Sequence, residues 1–451
     1  MDKTIELGTK PIAQLLLKYS LPGVVAMLVN AIYNIVDRIF IGQFAGEDAL
    51  AGLTVSFPFM MLIFAFAGLI GAGGSALISI RLGEKDKRGA DHVFTNVLVL
   101  SLLAGIIIFV LGNLNLNTLL KLFGADEVVL PFAAGYMRIV LVGMIFQFVA
   151  FALSNIVRTE GRPNLSMTAM IVSALTNVVL DYVFIGLFGW GVQGAAAATV
   201  IGQFLGFAIL ASYYLRGKAV LKVHRKDLMP DLKVVGTIFG VGASTFFGTL
   251  GTSAAMAFLN TALQQYGGNQ AITAMGAINS LTTIFIMPVL GMQQGLQPII
   301  GYNHGAGEHG RTRKAIGLAI LVATLFSVVV FVLLELFPSP FIQLFINAQS
   351  PTMPVAINGL RLTIALLPVV SINILGTAYF QSVANAKVAI FLGMSRQFVY
   401  LIPAVLILPK LLGLDGAWIT TPLADGLAVI TTLIFLVPVL RNKPRKEYAV
   451  K

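Results

Sequence analysis

Long apolar runs recur along almost the whole chain; "NVLVLSLLAGIIIFVLGNL", Asn96 to Leu114, is one of them. A run of about 20 apolar residues is long enough to cross a bilayer as a helix. Charged residues make up 11% of the chain and hydrophobic residues 57%, whereas a soluble domain carries about 25% charged residues. Too little polar material remains to cover a soluble surface. The expected class is therefore an all-α polytopic membrane protein. About twelve spans are expected, at 12–41, 49–80, 91–115, 131–157, 165–187, 192–216, 233–264, 272–303, 314–337, 355–382, 386–410 and 416–440. Several are long enough to require tilt or kinks. With no cysteine in the sequence, thiolate and disulfide chemistry is excluded. The opening "MDKTIELGTKPIAQ" mixes both charge signs and lacks a short apolar core with a cleavage site, so no removable signal peptide is expected.

The basic residues set the expected orientation. They cluster at Lys3, Lys10 and Lys18, at Arg81, Lys85, Lys87 and Arg88, and at Arg158 and Arg162. The central loop holds Arg216, Lys218, Lys222, Arg225, Lys226 and Lys233; Arg311, Arg313, Lys314 and Lys387 follow. The tail holds Arg441, Lys443, Arg445, Lys446 and Lys451. These sites fall on one side of a twelve-span chain and include most of its 30 Lys and Arg. By the positive-inside rule that side is cytoplasmic, with both termini inside. The net charge of +11 is then a topology signal, and no nucleic-acid partner is expected.

The chain repeats itself. "LGEKDKRGA" (82–90) resembles "HGAGEHGRTRKA" (304–315), with Gly83 and Gly305 offset by 222, and "GVQGAAAAT" (191–199) aligns with "GLDGAWITT" (413–421) at the same offset. Two six-span lobes are expected, 1–222 and 223–451. Six is even, so both lobes have one orientation and a pseudo-two-fold axis along the membrane normal, with the substrate cleft between them. Gly202 and Gly206, and Gly291 and Gly295, are spaced four apart and read as close helix packing. Pro22 lies inside the first span, where it supplies a bend.

No phosphate-binding loop is present: "GAGGSA" (71–76) lacks the Lys-Ser/Thr pair. The four histidines, His92, His224, His304 and His309, lie in or near loops without ligand spacing, and no nucleophile triad appears. An enzyme is not expected, nor is an organic cofactor.

Ionisable groups at membrane depth cost about 2.5–3.5 kcal/mol on insertion scales and are functional candidates by default. Four stand out: Asp37, Asp181, Arg396 and Asp425. Asn30, Asn34 and Asp37 are spaced four and three, so they share one helix face. Ser173, Asn177 and Asp181 do the same on span 5, and Thr199 and Gln203 on span 6. Counting from the span ends puts Asp37, Asp181, Thr199 and Tyr136 in the half of the membrane away from the basic loops. One polar chamber there is permitted. Two carboxylates sharing a dry site do not both ionise easily. Such a pair can hold a proton, or exchange it for Na⁺ with amide and hydroxyl oxygens completing the shell. The alternative is that each Asp caps a helix or sits in a wet vestibule.

At the offset of 222, Asp181 falls on Pro403 and Asn177 on Val399, so the carboxylates are not duplicated. Arg396 and Asp425 instead approach mid-membrane from opposite sides, and an ion pair that neutralises two buried charges is expected. With 31 Phe and 15 Met, the cleft lining is expected to suit flat, apolar, often cationic molecules.

These residues resemble the multidrug and toxic compound extrusion (MATE) family over essentially the whole chain. The carrying stretches are "MPVLGMQQGLQPIIGYNHGAG" (287–307), "VDRIFIGQFAGEDALAGL" (36–53) and "NVVLDYVFIGLFGWGVQGAA" (177–196). Among subgroups the chain looks closest to bacterial MepA-like exporters. The resemblance implies a V-shaped, twelve-helix, monomeric antiporter in the bacterial cytoplasmic membrane, surrounded by lipid. It would exchange H⁺ or Na⁺ for drugs or dyes by alternating access. It carries over Asp37, Asn177, Asp181 and Thr199 as the cation site, Tyr136 and Asn155 as its polar network, and Pro22 as the bend in the first helix. Some members also use acidic residues on span 7; here "GTIFGVGASTFFGTLGTSAAMAFLNTAL" has none, which implies that a second Na⁺ site is missing. Other readings remain: a flippase of lipid-linked precursors from the same superfamily, a membrane scaffold or receptor, and a channel. About twelve spans and acidic stripes disfavour the first. Aligned Asp/Asn stripes are not needed by the second, and no filter-like loop supports the third.

Overall fold

A computed structural model describes residues 4–45, 47–217 and 219–441. Lys3, Lys218, Lys443, Arg445, Lys446 and Lys451 of the basic clusters lie outside the described residues.

Span 1 is Ile12–Phe40, continued by a π-helical turn, Ile41–Ala45. Spans 2, 3 and 4 are Glu47–Gly83, Lys87–Leu114 and Leu130–Thr159. Span 5 is Pro163–Asp181 with a second π-helical turn, Tyr182–Leu187, and span 6 is Gly191–Leu215. Leu232–Gly305 is helical except at Gly268 (φ 59°, ψ −155°). In a straight helix Met256 and Asn279 would stand about 35 Å apart at 1.5 Å per residue. Instead, the Asn279 amide lies 3.9 Å from the Met256 sulfur. The chain therefore turns back at Gly268 into two spans, 232–267 (span 7) and 269–305 (span 8). A positive φ at this turn suits a residue without Cβ. Span 9 is His309–Leu336. Span 10 is Thr352–Ile364 and Leu367–Ser382, bent by 47° where Pro368 withdraws a backbone donor. Ala386–Leu440 folds back at Gly413 (φ 61°) into spans 11 and 12, with a third π-helical turn at Ser395–Leu401. Twelve spans result among the described residues. Short helices Ile5–Thr9, Leu116–Leu122 and Pro338–Ile342 lie outside them.

Where the halves meet, the repeat is visible as geometry. A Cβ on Gly83 would lie 2.0 Å from the Tyr302 carbonyl oxygen, and one on Gly305 would lie 2.1 Å from that of Ile80. Both pairs are related by the offset of 222, so spans 2 and 8 cross about a pseudo-two-fold axis. A second symmetric pair flanks it. Gly242 of span 7 meets the Leu69 carbonyl of span 2, and Gly291 and Gly295 of span 8 meet Val24 and Ser20 of span 1. Lipid tails are as apolar as leucine, so helices in a membrane associate through such close backbone packing. All these contacts lie on the basic-loop side of Met27, whose sulfur accepts from Gln294 at 3.6 Å, and of the Phe66–Phe246 ring pair, 4.9 Å apart. The two halves are closed against each other at the basic end.

Two segments reinforce that end. Ile5–Thr9 lies on the end of span 8, where Asn303 and Arg311 donate to the Leu7 carbonyl at 2.9 and 3.1 Å. Lys18 holds the Glu6 carboxylate of this helix, and keeps it below the ordinary carboxylate range. The linker folds back on span 3. Arg88 grips Asp227 through two bonds of 2.5 and 3.0 Å, and His224 bonds Asp91 at 3.0 Å. The Leu221 amide donates to Glu160 at 2.7 Å. The expected boundary near residue 222 thus falls in a linker packed against the first half.

Candidate functional site

Span 1 carries the expected stripe. The Asn34 amide donates to the Asn30 carbonyl at 2.7 Å, and Asp37 is buried one turn on, just before the π-helical turn. Asp181 is fully buried at the last α-helical residue of span 5, just before the second. The two carboxyl groups lie within hydrogen-bonding reach of each other. Two bare carboxylates repel, so a shared proton or a cation between them would relieve that repulsion. Among the described residues no basic side chain pairs with Asp181.

Asn177 and Thr199 complete one wall. Spans 5 and 6 approach closely because Gly202 and Gly206 bear no side chain; a Cβ on Gly202 would sit 2.7 Å from the Ser173 carbonyl oxygen. That approach brings the Asn177 amide 3.3 Å from the Thr199 hydroxyl. With the amide turned over, its oxygen accepts from Thr199 and its nitrogen donates to Asp181 Oδ2, each at 3.3 Å. The neighbours favour the turned orientation, because amide N and O are assigned from their network. Tyr136 is buried within reach of Thr199 and in the field of Asp37. The oxygens of Asp37, Asp181, Asn177 and Thr199 form a set that suits a hard monovalent cation, or a proton between the carboxyls.

The structure adds Tyr33, which lies against Asn30 and Asn34 and faces Asp37. Its signal was available: Tyr33 and Asp37 are spaced four on one helix. It does not bring in Asn155. That side chain receives Arg158 at 3.3 Å and donates to the Phe151 carbonyl. It stands 19 residues along span 4 from Tyr136, about 28 Å at helical rise. Asn155 belongs to a buried Arg158–Ser154–Ser166 network near the basic end. Pro22 sits inside span 1 beside Gly23, whose absent Cβ would meet the Gly291 carbonyl at 2.4 Å. The proline therefore lies at the seam between the halves.

In the second half Arg396 Nε donates to Asp425 Oδ1 at 2.6 Å, an ion pair joining spans 11 and 12. Tyr400 and Thr431 bond at 2.6 Å one turn away. Among the described residues the π-helical turns number three, after Asp37, after Asp181 and around Arg396. A π turn inserts one residue and rotates the face that follows it, and such turns concentrate at functional sites.

Two homologous six-span halves, crossing about an axis along the bundle and enclosing asymmetric charged sites, define the architecture of a membrane transporter. A model of the MatE family matches the chain twice, at residues 22–183 and 245–406, offset by 223. The chain belongs to the MatE family. It is similar to the multidrug export protein MepA of Staphylococcus saprophyticus, at 24% identity over 95% of this chain and 94% of that protein. The MepA of Staphylococcus haemolyticus is 26% identical, with the same coverage of each chain. Among solved structures, an outward-facing multidrug resistance MATE transporter superposes with a TM-score of 0.91 at 27% identity, covering 97% of this chain and 99% of that one. A MATE in the bent conformation gives 0.90 at 26% identity and 97% of both chains. The fold is the twelve-helix, V-shaped one of MATE transporters.

Proposed function

We propose that the chain is a multi-pass cation/drug antiporter that exports amphipathic, often cationic compounds across a bacterial cytoplasmic membrane. The basic end faces the cytoplasm in this reading, with both termini inside. The observation that carries it is the contact of Asp37 with Asp181 in a buried chamber on the far side of a closed basic end. The similarity to the MepA exporters supports the drug class.

The coupling works through charge. An empty chamber holds two carboxylates that repel. A proton or Na⁺ entering from the outer side removes that repulsion and lets spans 1 and 5 draw together. The cation can drive a conformational change only through its preference for one arrangement. Here that preference is for the drawn-together arrangement. Drug bound in the cleft is released outward as the chamber closes. The basic end then parts to admit the next molecule and release the cation inward. Asn177 and Thr199 orient the carboxyls and supply oxygens, and Tyr33 and Tyr136 line the path. Arg396 and Asp425 act as a structural pair.

Efflux of a fluorescent cationic dye from proteoliposomes, under separately imposed proton and sodium gradients, tests this. Efflux driven by one gradient identifies the ion, and loss of that efflux in Asp181→Asn places the coupling. Gradient-driven efflux by Asp181→Asn at the native rate would refute the site, and none by the native protein would refute the antiport.

A further inference from the structure

A cleft of about 380 Å³ opens at the basic end between spans 1, 5 and 6. Three cationic side chains from three elements line it: Lys18 of span 1, Arg162 before span 5 and Arg216 after span 6. The antiport reading uses none of them. Glu6 neutralises Lys18. Among the described residues Arg162 and Arg216 form no ion pair, and the Arg162 guanidinium lies 4.9 Å over the Tyr213 ring, held in place by a cation–π contact. Glu160, beside the cleft-lining Tyr213, accepts from the Leu221 amide at 2.7 Å. Burial pushes it up to about 7, which weakens it as a counter-charge. The positive end of the span 5 helix dipole, starting at Pro163, faces the same space.

The surroundings continue the pattern deeper into the membrane. Leu21, three residues beyond Lys18 on the same helix face, is 55% exposed. Leu205 lies one turn deeper than the cleft-lining Ile209 and is also exposed. Unpaired cations thus sit at the membrane boundary above an apolar flank.

We propose that this cleft binds the phosphate group of an anionic phospholipid headgroup, with Arg162 and Arg216 as the phosphate ligands and Leu21 and Leu205 against the acyl chains. Basic pockets between spans on the cytoplasmic side are suited to such headgroups. The shared chemistry is phosphate, and a free phosphate anion is the other possible source.

The test uses the full chain in detergent with phosphatidylcholine. Phosphatidylglycerol is titrated in, and binding is read by native mass spectrometry and by thermal shift; inorganic phosphate is titrated separately. At about fivefold per basic residue, Arg162→Gln with Arg216→Gln weakens phosphatidylglycerol binding about thirtyfold. Arg216→Gln, at an exposed position, weakens it about fivefold without disturbing Tyr213. Both losses support the lipid site. Equal binding by native and variant proteins overturns it. Inorganic phosphate that protects as well as the lipid, and loses that protection in the variants, overturns the lipid assignment in favour of a soluble anion. None of these readouts requires transport, so the result stands apart from the antiport reading.

Discussion

The closure of the basic end makes a prediction that can be followed from one atom to a population. Gly305 approaches the Ile80 carbonyl so closely that a Cβ there would lie 2.1 Å from the oxygen, about 0.9 Å short of a tight 3.0 Å contact. The obstacle is backbone, which cannot rotate away as a side chain can. Gly305→Ala must therefore push spans 2 and 8 apart in the closed arrangement, at an overpacking cost of about 1–3 kcal/mol. Opening the basic end separates spans 2 and 8 and should relieve that clash. The equilibrium should shift toward that arrangement by about 5- to 150-fold. Gly310 is the control, since a Cβ there has nothing within 4 Å. The chain has no cysteine, so one cysteine at Lys85 and one at His309 give a clean pair of labels. Spin-label distance measurements in lipid should show a longer-distance population growing in Gly305→Ala and unchanged in Gly310→Ala. If Gly305→Ala keeps the native distance distribution, the packed seam does not set the equilibrium and the argument fails.

Three further outcomes follow from the site geometry. Asp181→Asn removes a buried charge without changing shape, so gradient-driven dye efflux should be lost while thermal stability holds or rises; a variant that fails to purify folded would contradict this. Arg396→Gln leaves Asp425 buried and unpaired, which should cost about 3–5 kcal/mol, whereas Arg396→Met with Asp425→Leu should recover most of it; additive losses in a double-mutant cycle would show that the two do not interact. Glu160 has its folded pKa raised by burial to about 7, from an ordinary value of 4.5. The folded state therefore binds more protons than the unfolded one between those values, and stability should fall as pH rises from about 4.5 to 7 and then level off, by about 3 kcal/mol at most. Glu160→Gln keeps an oxygen for the Leu221 amide and should flatten that decline in a pH series of melting temperatures; an unchanged slope would assign the dependence elsewhere.

Much of the molecule was legible in the sequence because each span is locally determined. A segment in lipid must satisfy its own backbone hydrogen bonds, so an apolar run of sufficient length becomes a helix. The expected gaps at 265–271 and 411–415 contain the turns at Gly268 and Gly413. Helical spacing alone put Asn30, Asn34 and Asp37 on one face, and Asn177 with Asp181 on another. Counting depth from opposite membrane faces brought Arg396 and Asp425 to one level, where they do pair. Kinks were expected in the longer spans, but the 47° bend in span 10 was not located, although Pro368 stood in view. Asn155, carried over by the resemblance alone, sits with Arg158 near the basic end, at the depth that counting along span 4 gives it.

The sequence by itself determined the spans, the duplication, the polar stripes and the family. Only the tertiary structure decided which stripes face each other, where the π-helical turns rotate them, and which end of the cleft is shut. The reason is physical. Between helices in lipid there is little hydrophobic drive to choose a partner face. The choice falls to small residues meeting distant backbone, as Gly202 meets Ser173 and Gly305 meets Ile80. Such a match belongs to two segments at once and is written in neither of them alone.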